Sequence, residues 1–346
     1  MDNLAHALVG AALGRAVADR HVPHAGWIGA IAANAPDWTE FFVGLPGTHA
    51  DYLVLHRGVT HSLFGAGIEI VALTALLGAA WWQSGNRPPW RWLLACVGSA
   101  VLSHLFMDWQ GSYGWRPFLP WSNTWYYLDW VAIVDPFFWF VPLLALAWGA
   151  NRHWLPLLGW LAIVMGISWL MVRQHEMVEP WVLAACGLLV ALGIFGWVAY
   201  WFGPVRRRAL AMTAVLLLAV YAGSQGLTAA SRKAEIRAEA VRRFGPTARS
   251  AALTDIGHPF TWEAIYASAD TVAGDDWRLP RHLDVPAVAR ALRETRAGRA
   301  MQQFARFLTA DVDSSAKLIF VRDARYARAA RDGWGVVRIR LAVPAE

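Results

Sequence analysis

His104 and Asp108 stand four residues apart in SHLFMD, Ser103 to Asp108, inside a stretch whose apolar spacing predicts a helix. At that spacing the two side chains share one helix face, about a turn apart. An imidazole nitrogen and a carboxylate oxygen presented together suit a single divalent cation. HRGVTHS, His56 to Ser62, adds two more histidines with Arg57 and Gly58 between them. The glycine lets the backbone turn closely around an ion or substrate. Arg57 can hold a phosphate or carboxylate oxygen through two parallel hydrogen bonds. His61 reads as a ligand or a base at a helix start, with Thr60 as the expected cap. His6 in LAHALVG and Asp37 after Pro36 complete the set.

Taken singly, each of these is an ordinary cap, turn residue or interfacial histidine. Together they are costly. Burying such groups beside lipid costs several kcal/mol unless they are paired or metal-bound. Glu69 lies two turns into the apolar stretch after HRGVTHS. A carboxylate there marks function by default, as a deeper ligand, a partner of His61 or a protonated acid. Asp129 and Asp135 could hydrogen-bond ligating histidines or simply begin a helix.

The elements that must position these groups belong to a membrane protein. The 346 residues are 57% hydrophobic and 16% charged, with 22 tryptophans; soluble domains run nearer a quarter charged. Residues 1–228 hold 11 basic and 11 acidic side chains and residues 229–346 hold 20 and 14, so the net +6 sits in the C-terminal third. No stretch matches a nucleic-acid motif with interleaved aromatics. Cys96 and Cys186 fall inside apolar segments and read as packing residues. The N-terminus lacks the basic region of a signal peptide and is expected to be retained.

The pattern predicts an α-helical polytopic membrane bundle over 1–228 and a small α+β soluble domain over 229–346. Two short segments, 4–18 and roughly 25–35, come first. Both are shorter than the ~20 residues of a straight span, and their glycines and alanines allow close backbone approach. Residues 38–58 read as a polar, aromatic connection. Six clearer spans follow near 61–82, 91–109, 131–150, 154–172, 181–202 and 208–228, with tryptophans gathered at their ends. Beyond them the pattern predicts a polar helix over 229–245, strands at Trp262–Ser268, Lys317–Arg322 and Val336–Val343, and one or two helices within 286–309. If all eight segments cross, Arg15, Arg20, Arg87, Arg91, Arg152 and Arg206 to Arg208 share one face, which the excess of positive charge makes cytoplasmic. His6, Asp37, His56, His61, His104, Asp108 and the C-terminal domain then share the outer face.

The order of LAHALVG, the Pro36-Asp37 pair, HRGVTHS, SHLFMD and LDWVAIVDP resembles the YdjM-like family of bacterial membrane-bound metal-dependent hydrolases, most closely over residues 1–140. The succession His, Asp, His, then His-x-x-x-Asp is also distantly similar to the zinc-dependent phospholipase C and P1 nuclease group. That likeness implies Asp37, His56, His104 and Asp108 around a main metal, with His6 sharing Asp108 on a second. It also implies one or two divalent ions, expected to be zinc. Two features depart from the patterns. Glu40 stands near where a second aspartate is usual after Pro-Asp, and the later His plus His-x-x-x-Glu set of the phospholipase group is absent.

The expected function is hydrolysis of a phosphoester or other ester of a lipid or lipid-linked substrate, in a multi-pass protein of the bacterial inner membrane. Arg57, His61 and Glu69 are the catalytic candidates. The metal candidates are His6, Asp37, His56, His61, His104 and Asp108. The competing reading is a non-enzymatic transporter or scaffold, supported by the many spans and by Glu69. Against it, the chain shows no internal repeat of the kind transporters carry.

Overall fold

The computed structural model describes residues 1–40, 48–148, 154–198 and 206–340. It divides into two compact units. The first is 1–38, 59–228 and 254–261; the second is 39–58, 229–253 and 262–346.

The first unit is helical. Helix α1, Asn3–Ala18, starts where the Asp2 carboxylate accepts the Ala5 N–H at 3.0 Å, a standard N-cap that satisfies one orphan donor. Asp2 also accepts the Trp139 indole N–H at 3.0 Å, which fixes the entry of the chain. Helix α2, Ala25–Ala32, packs on α1 at backbone distance. A Cβ added at Gly14 would stand 2.1 Å from the Ala25 carbonyl oxygen, and one at Gly29 would stand 2.1 Å from that of Gly10. The small residues are therefore required by the crossing. A 3-10 turn, Ala35–Asp37, ends this pair.

After a second 3-10 turn at Val59–His61, α4 runs Leu63–Gln83 and α5 runs Trp90–Gln110. On α5 the buried stripe Leu93, Val97, Ala100 and Val101 continues directly into His104 and Asp108. The periodicity that buries the apolar residues thus carries both candidate ligands into the interior. α6 is Pro136–Trp148, α7 is Trp154–Arg173 and α8 is Pro180–Val198. α9, Arg207–Phe244, is one continuous helix of 38 residues. Among the described residues α4, α5 and α9 are long and apolar enough to cross a membrane; α6 and parts of α7 and α8 are apolar but shorter.

Three local expectations change. The segment placed at 131–150 becomes helical only at Pro136, because the chain first turns at Asp135, whose carboxylate accepts the Phe137 N–H at 2.9 Å. Ser62, not Thr60, caps α4: its hydroxyl accepts the Gly65 N–H at 3.0 Å. The polar helix expected at 229–245 is the second half of α9. The ends of the expected segments at 149–150 and 199–202, and residues 341–343 of the last strand, lie outside the described residues.

In the second unit the connection 38–58 contains a helix, α3, His49–Leu55, opened by a capping box. The Asp51 carboxylate accepts from the Thr48 N–H at 2.7 Å and from its hydroxyl at 3.0 Å. α3 packs on α11, Arg296–Phe304, and Arg296 Nε reaches Asp51 Oδ1 at 2.6 Å. α10 is Pro286–Glu294. Two small sheets complete the C-terminal domain. Strands β1 Arg249–Thr254, β2 Trp262–Ala267, β3 Thr271–Ala273 and β4 Arg278–Pro280 lie in that order. β5 Leu308–Asp313, β6 Leu318–Asp323 and β7 Val336–Arg340 form the other, antiparallel throughout.

Candidate metal centre

Four elements of the first unit converge on one buried cluster. α1 brings His6 from its first turns, the turn after α2 brings Asp37, the turn before α4 brings His61, and α5 brings His104 and Asp108. Their exposures are 1, 8, 1, 0 and 2%. Two groups have ligand atoms lying within 4.8 Å of one another: His6, His104 and Asp108, and Asp37, His61 and His104. His104 belongs to both.

The separations would allow the atoms to share an ion. His61 Nε2 lies 3.0 Å from Asp37 Oδ1 and 3.1 Å from His104 Nε2, and His104 Nε2 is 3.5 Å from Asp108 Oδ2. His6 Nε2 is 3.4 Å from Asp108 Oδ1, and its ring stacks on that of His104 with centroids 3.8 Å apart. Two ligand atoms each ~2.05 Å from a tetrahedral zinc stand about 3.3 Å apart. Both His6 ring nitrogens are buried and make no hydrogen bond among the described residues. Orphaned polar atoms of this kind are costly, and a cation would satisfy one of them. The donor set therefore fits a divalent metal.

Protonation favours the same reading. His104 Nδ1 lies 2.7 Å from the Ala33 carbonyl oxygen. A carbonyl can only accept, so Nδ1 carries the proton and Nε2 presents its lone pair to the cluster. Burial pushes the His61 imidazole below its ordinary pKa, against the opposing hydrogen bond with Asp37. Burial alone would raise Asp37, but the bond with His61 and the nearby His104 outweigh it and hold the carboxyl well below the usual range. Neutral imidazole and ionised carboxylate are the states a metal needs.

The supporting bonds include residues without a role in the sequence reading. Asn3 Nδ2 donates to Asp37 Oδ2 at 2.7 Å, and the Met1 nitrogen donates to Asp108 Oδ1 at 2.5 Å. The Trp115 indole N–H donates to the His61 carbonyl at 2.5 Å. Asn3, one turn before His6, carried a helical-spacing signal. Trp115 looked like one more interfacial tryptophan, and the Ala33 carbonyl leaves no trace in side-chain types.

The other candidates belong to neither ligand group. His56 belongs to the second unit, where its Nδ1 lies 2.5 Å from Glu40 Oε1 and its ring stacks on Tyr52; it is in neither ligand group. The geometry thus puts His61 where the resemblance implied His56. Arg57 is also in the second unit, buried, with a positive φ of 56°. Glu69 on α4 has a buried Oε2 without a hydrogen bond among the described residues and belongs to neither group. Asp129 is buried, and Asp135 accepts the Tyr221 hydroxyl at 2.7 Å, a structural tie between the start of α6 and α9.

YfhP of Bacillus subtilis (strain 168), itself described as uncharacterized, is 31% identical over 155 residues, which cover 42% of this chain and 46% of that protein. The chain thus spans about half the length of the curated relative it matches. No solved structure matches. A family model described as YdjM inner membrane protein matches residues 1–177, a stretch that contains all five clustered residues together with α4 and α5. The chain belongs to the YdjM inner membrane protein family.

Proposed function

We propose that this protein is a membrane-bound metal-dependent hydrolase acting on a phosphoester or other ester of a lipid or lipid-linked substrate. The observation that carries the reading is the convergence of His6, Asp37, His61, His104 and Asp108, from four separate elements, at ligand-like separations. His104 and Asp37 with His61 would hold one divalent ion, and His6 with Asp108 would complete a second place that shares His104. A bound ion supplies Lewis acidity, polarising a phosphoryl or acyl oxygen and making water a better nucleophile near neutral pH. Zinc suits the mixed imidazole and carboxylate donors.

The chain's own groups have separable tasks. Ala33 and Asn3 orient His104 and Asp37. Asp37 is the most exposed of the five at 8%, and its lowered pKa keeps it ionised, as a ligand must be. Glu69, with its unpaired buried oxygen, is the candidate for a proton reservoir behind the ligands. Arg57 remains an anion-donor candidate by its residue type alone. We further place the cluster and residues 229–346 on the extracytoplasmic side of a multi-pass inner-membrane protein, from the loop arginines. A reporter fused after residue 346 is then active only outside the cytoplasm, and cytoplasmic activity overturns that placement.

The depth of the cluster favours one other reading, a closed metal centre that only clamps α1, α2, α4 and α5 together, as structural sites do. Metal analysis followed by a metal-supplemented hydrolysis screen separates the two. The hydrolase reading expects bound metal in the purified protein and turnover that His104→Ala abolishes. Bound metal without turnover on any phosphoester or carboxylester supports the clamp. Absence of tightly bound metal rules out both.

A further inference from the structure

At the opposite end of α1 from His6, the chain forms a strongly basic pocket. Its volume is about 570 Å³, and Arg20, Arg206, Arg207 and Arg208 line it with Asp19 and Met212. The single carboxylate in the lining is already committed: Asp19 Oδ2 accepts from Arg207 Nε at 2.6 Å. Arg208 is tied in the same manner, with its Nε donating to the Ala16 carbonyl at 2.8 Å. Anchoring a guanidinium through Nε leaves its terminal N–H groups to face a ligand and reduces the side-chain ordering that binding demands.

Below the arginines the lining turns apolar. Met212, Leu216 and Val220 follow at four-residue spacing on α9 and are 50, 63 and 61% exposed. Residues four apart share a helix face, so the pocket opens onto a continuous apolar track on a helix long enough to cross a membrane. An anionic head beside an apolar track is the shape of a phospholipid, and basic pockets at helix ends are known to hold such heads.

We propose that the pocket between the end of α1 and the start of α9 binds the phosphate of an anionic phospholipid whose acyl chain lies along Met212, Leu216 and Val220. The site is distinct from the His/Asp cluster and shares no residue with it. It holds a resident lipid that fastens α9 to α1, and it requires no hydrolysis.

The test uses the full-length protein in nanodiscs, with thermal stability measured in phosphatidylcholine alone and with increasing phosphatidylglycerol, and with bound lipid counted by native mass spectrometry. Arg20→Gln with Arg206→Gln removes two exposed arginines that form no hydrogen bond or ion pair among the described residues. Arg87→Gln with Arg91→Gln is the charge-matched control. Phosphatidylglycerol should stabilise the wild type, and the Arg20/Arg206 variant should need about thirtyfold more of it, the combined effect of two arginines near an anionic lipid. The control should behave as wild type, and all three proteins should melt alike in pure phosphatidylcholine. Equal loss in both variants reduces the effect to general surface charge and overturns the site. Stabilisation by millimolar inorganic phosphate equal to that by phosphatidylglycerol overturns the lipid assignment, because the apolar track would then contribute nothing.

Discussion

His61 Nε2 and His104 Nε2 face each other at 3.1 Å. The Ala33 carbonyl fixes the proton of His104 on Nδ1, so at this contact His104 offers only a lone pair. A bound divalent ion would draw on both nitrogens as ligands. Removal of His104 would therefore take a candidate ligand from each of the two groups. His104→Ala should abolish the stabilisation that zinc gives the wild type. At zinc a hundredfold above its dissociation constant that stabilisation is about 2.7 kcal/mol, or about 5–10 °C in melting temperature for a unit of this size. Differential scanning fluorimetry with and without zinc, after chelator treatment, reads this directly. An unchanged zinc response in His104→Ala would remove the cluster as a metal site.

His56 supplies the complementary case. It sits with Glu40 in the second unit and in neither ligand group. His56→Ala should therefore keep its full metal content by mass spectrometric metal analysis, whereas His61→Ala should lose at least one ion. Metal loss in His56→Ala at the level of His61→Ala would restore the ligand set implied by the resemblance.

That exchange shows what the sequence could and could not convey. The α5 pair was readable because four-residue spacing on an apolar helix determines which face His104 and Asp108 share. The five-residue gap between His56 and His61 spans a helix end, a left-handed Arg57 and a 3-10 turn; no periodicity tells which histidine such a turn delivers inward. Strands β2, β6 and β7 were legible in the sequence, as was helix within 286–309, whereas β1, β5 and the three-residue β3 and β4 were not read. Helix α3 was missed although Thr48 and Asp51 have capping-box spacing, since it has only seven residues and stands among aromatics. The unbroken passage of α9 from apolar to charged sequence left no Pro or Gly breaker at 228–229, and composition alone suggested a boundary there.

The α1–α2 crossing makes a steric prediction. A side chain at Gly14 meets the Ala25 carbonyl at 2.1 Å, and backbone cannot yield cheaply. Gly14→Leu should drive the helices apart, destabilise the protein by roughly 1–3 kcal/mol or more, as overpacking does, and loosen metal binding by displacing His6. Gly67→Ala on α4, where an added Cβ meets nothing within 4 Å, should be neutral or stabilising by up to about 1 kcal/mol through helix propensity. Melting temperature and metal content of the two variants, measured side by side, check the contrast. A destabilised Gly67→Ala or a silent Gly14→Leu would contradict it.

Asp51 ties stability to pH in the second unit. Burial by itself would raise its pKa, but the bonds from the Thr48 N–H and hydroxyl and from Arg296 outweigh this and lower it. A carboxyl whose pKa is lower folded than unfolded stabilises the fold fully above its unfolded value of about 3.9, and that contribution fades as pH falls through the folded value. At pH 7, Asp51→Asn should cost about 1–2 kcal/mol, since it weakens a capping box and a charge-assisted bond. The melting-temperature gap between wild type and Asp51→Asn should stay constant from pH 7 to about 5 and close below pH 4. A gap that widens on acidification would mean that the unfolded chain, not the folded one, holds Asp51 ionised more strongly.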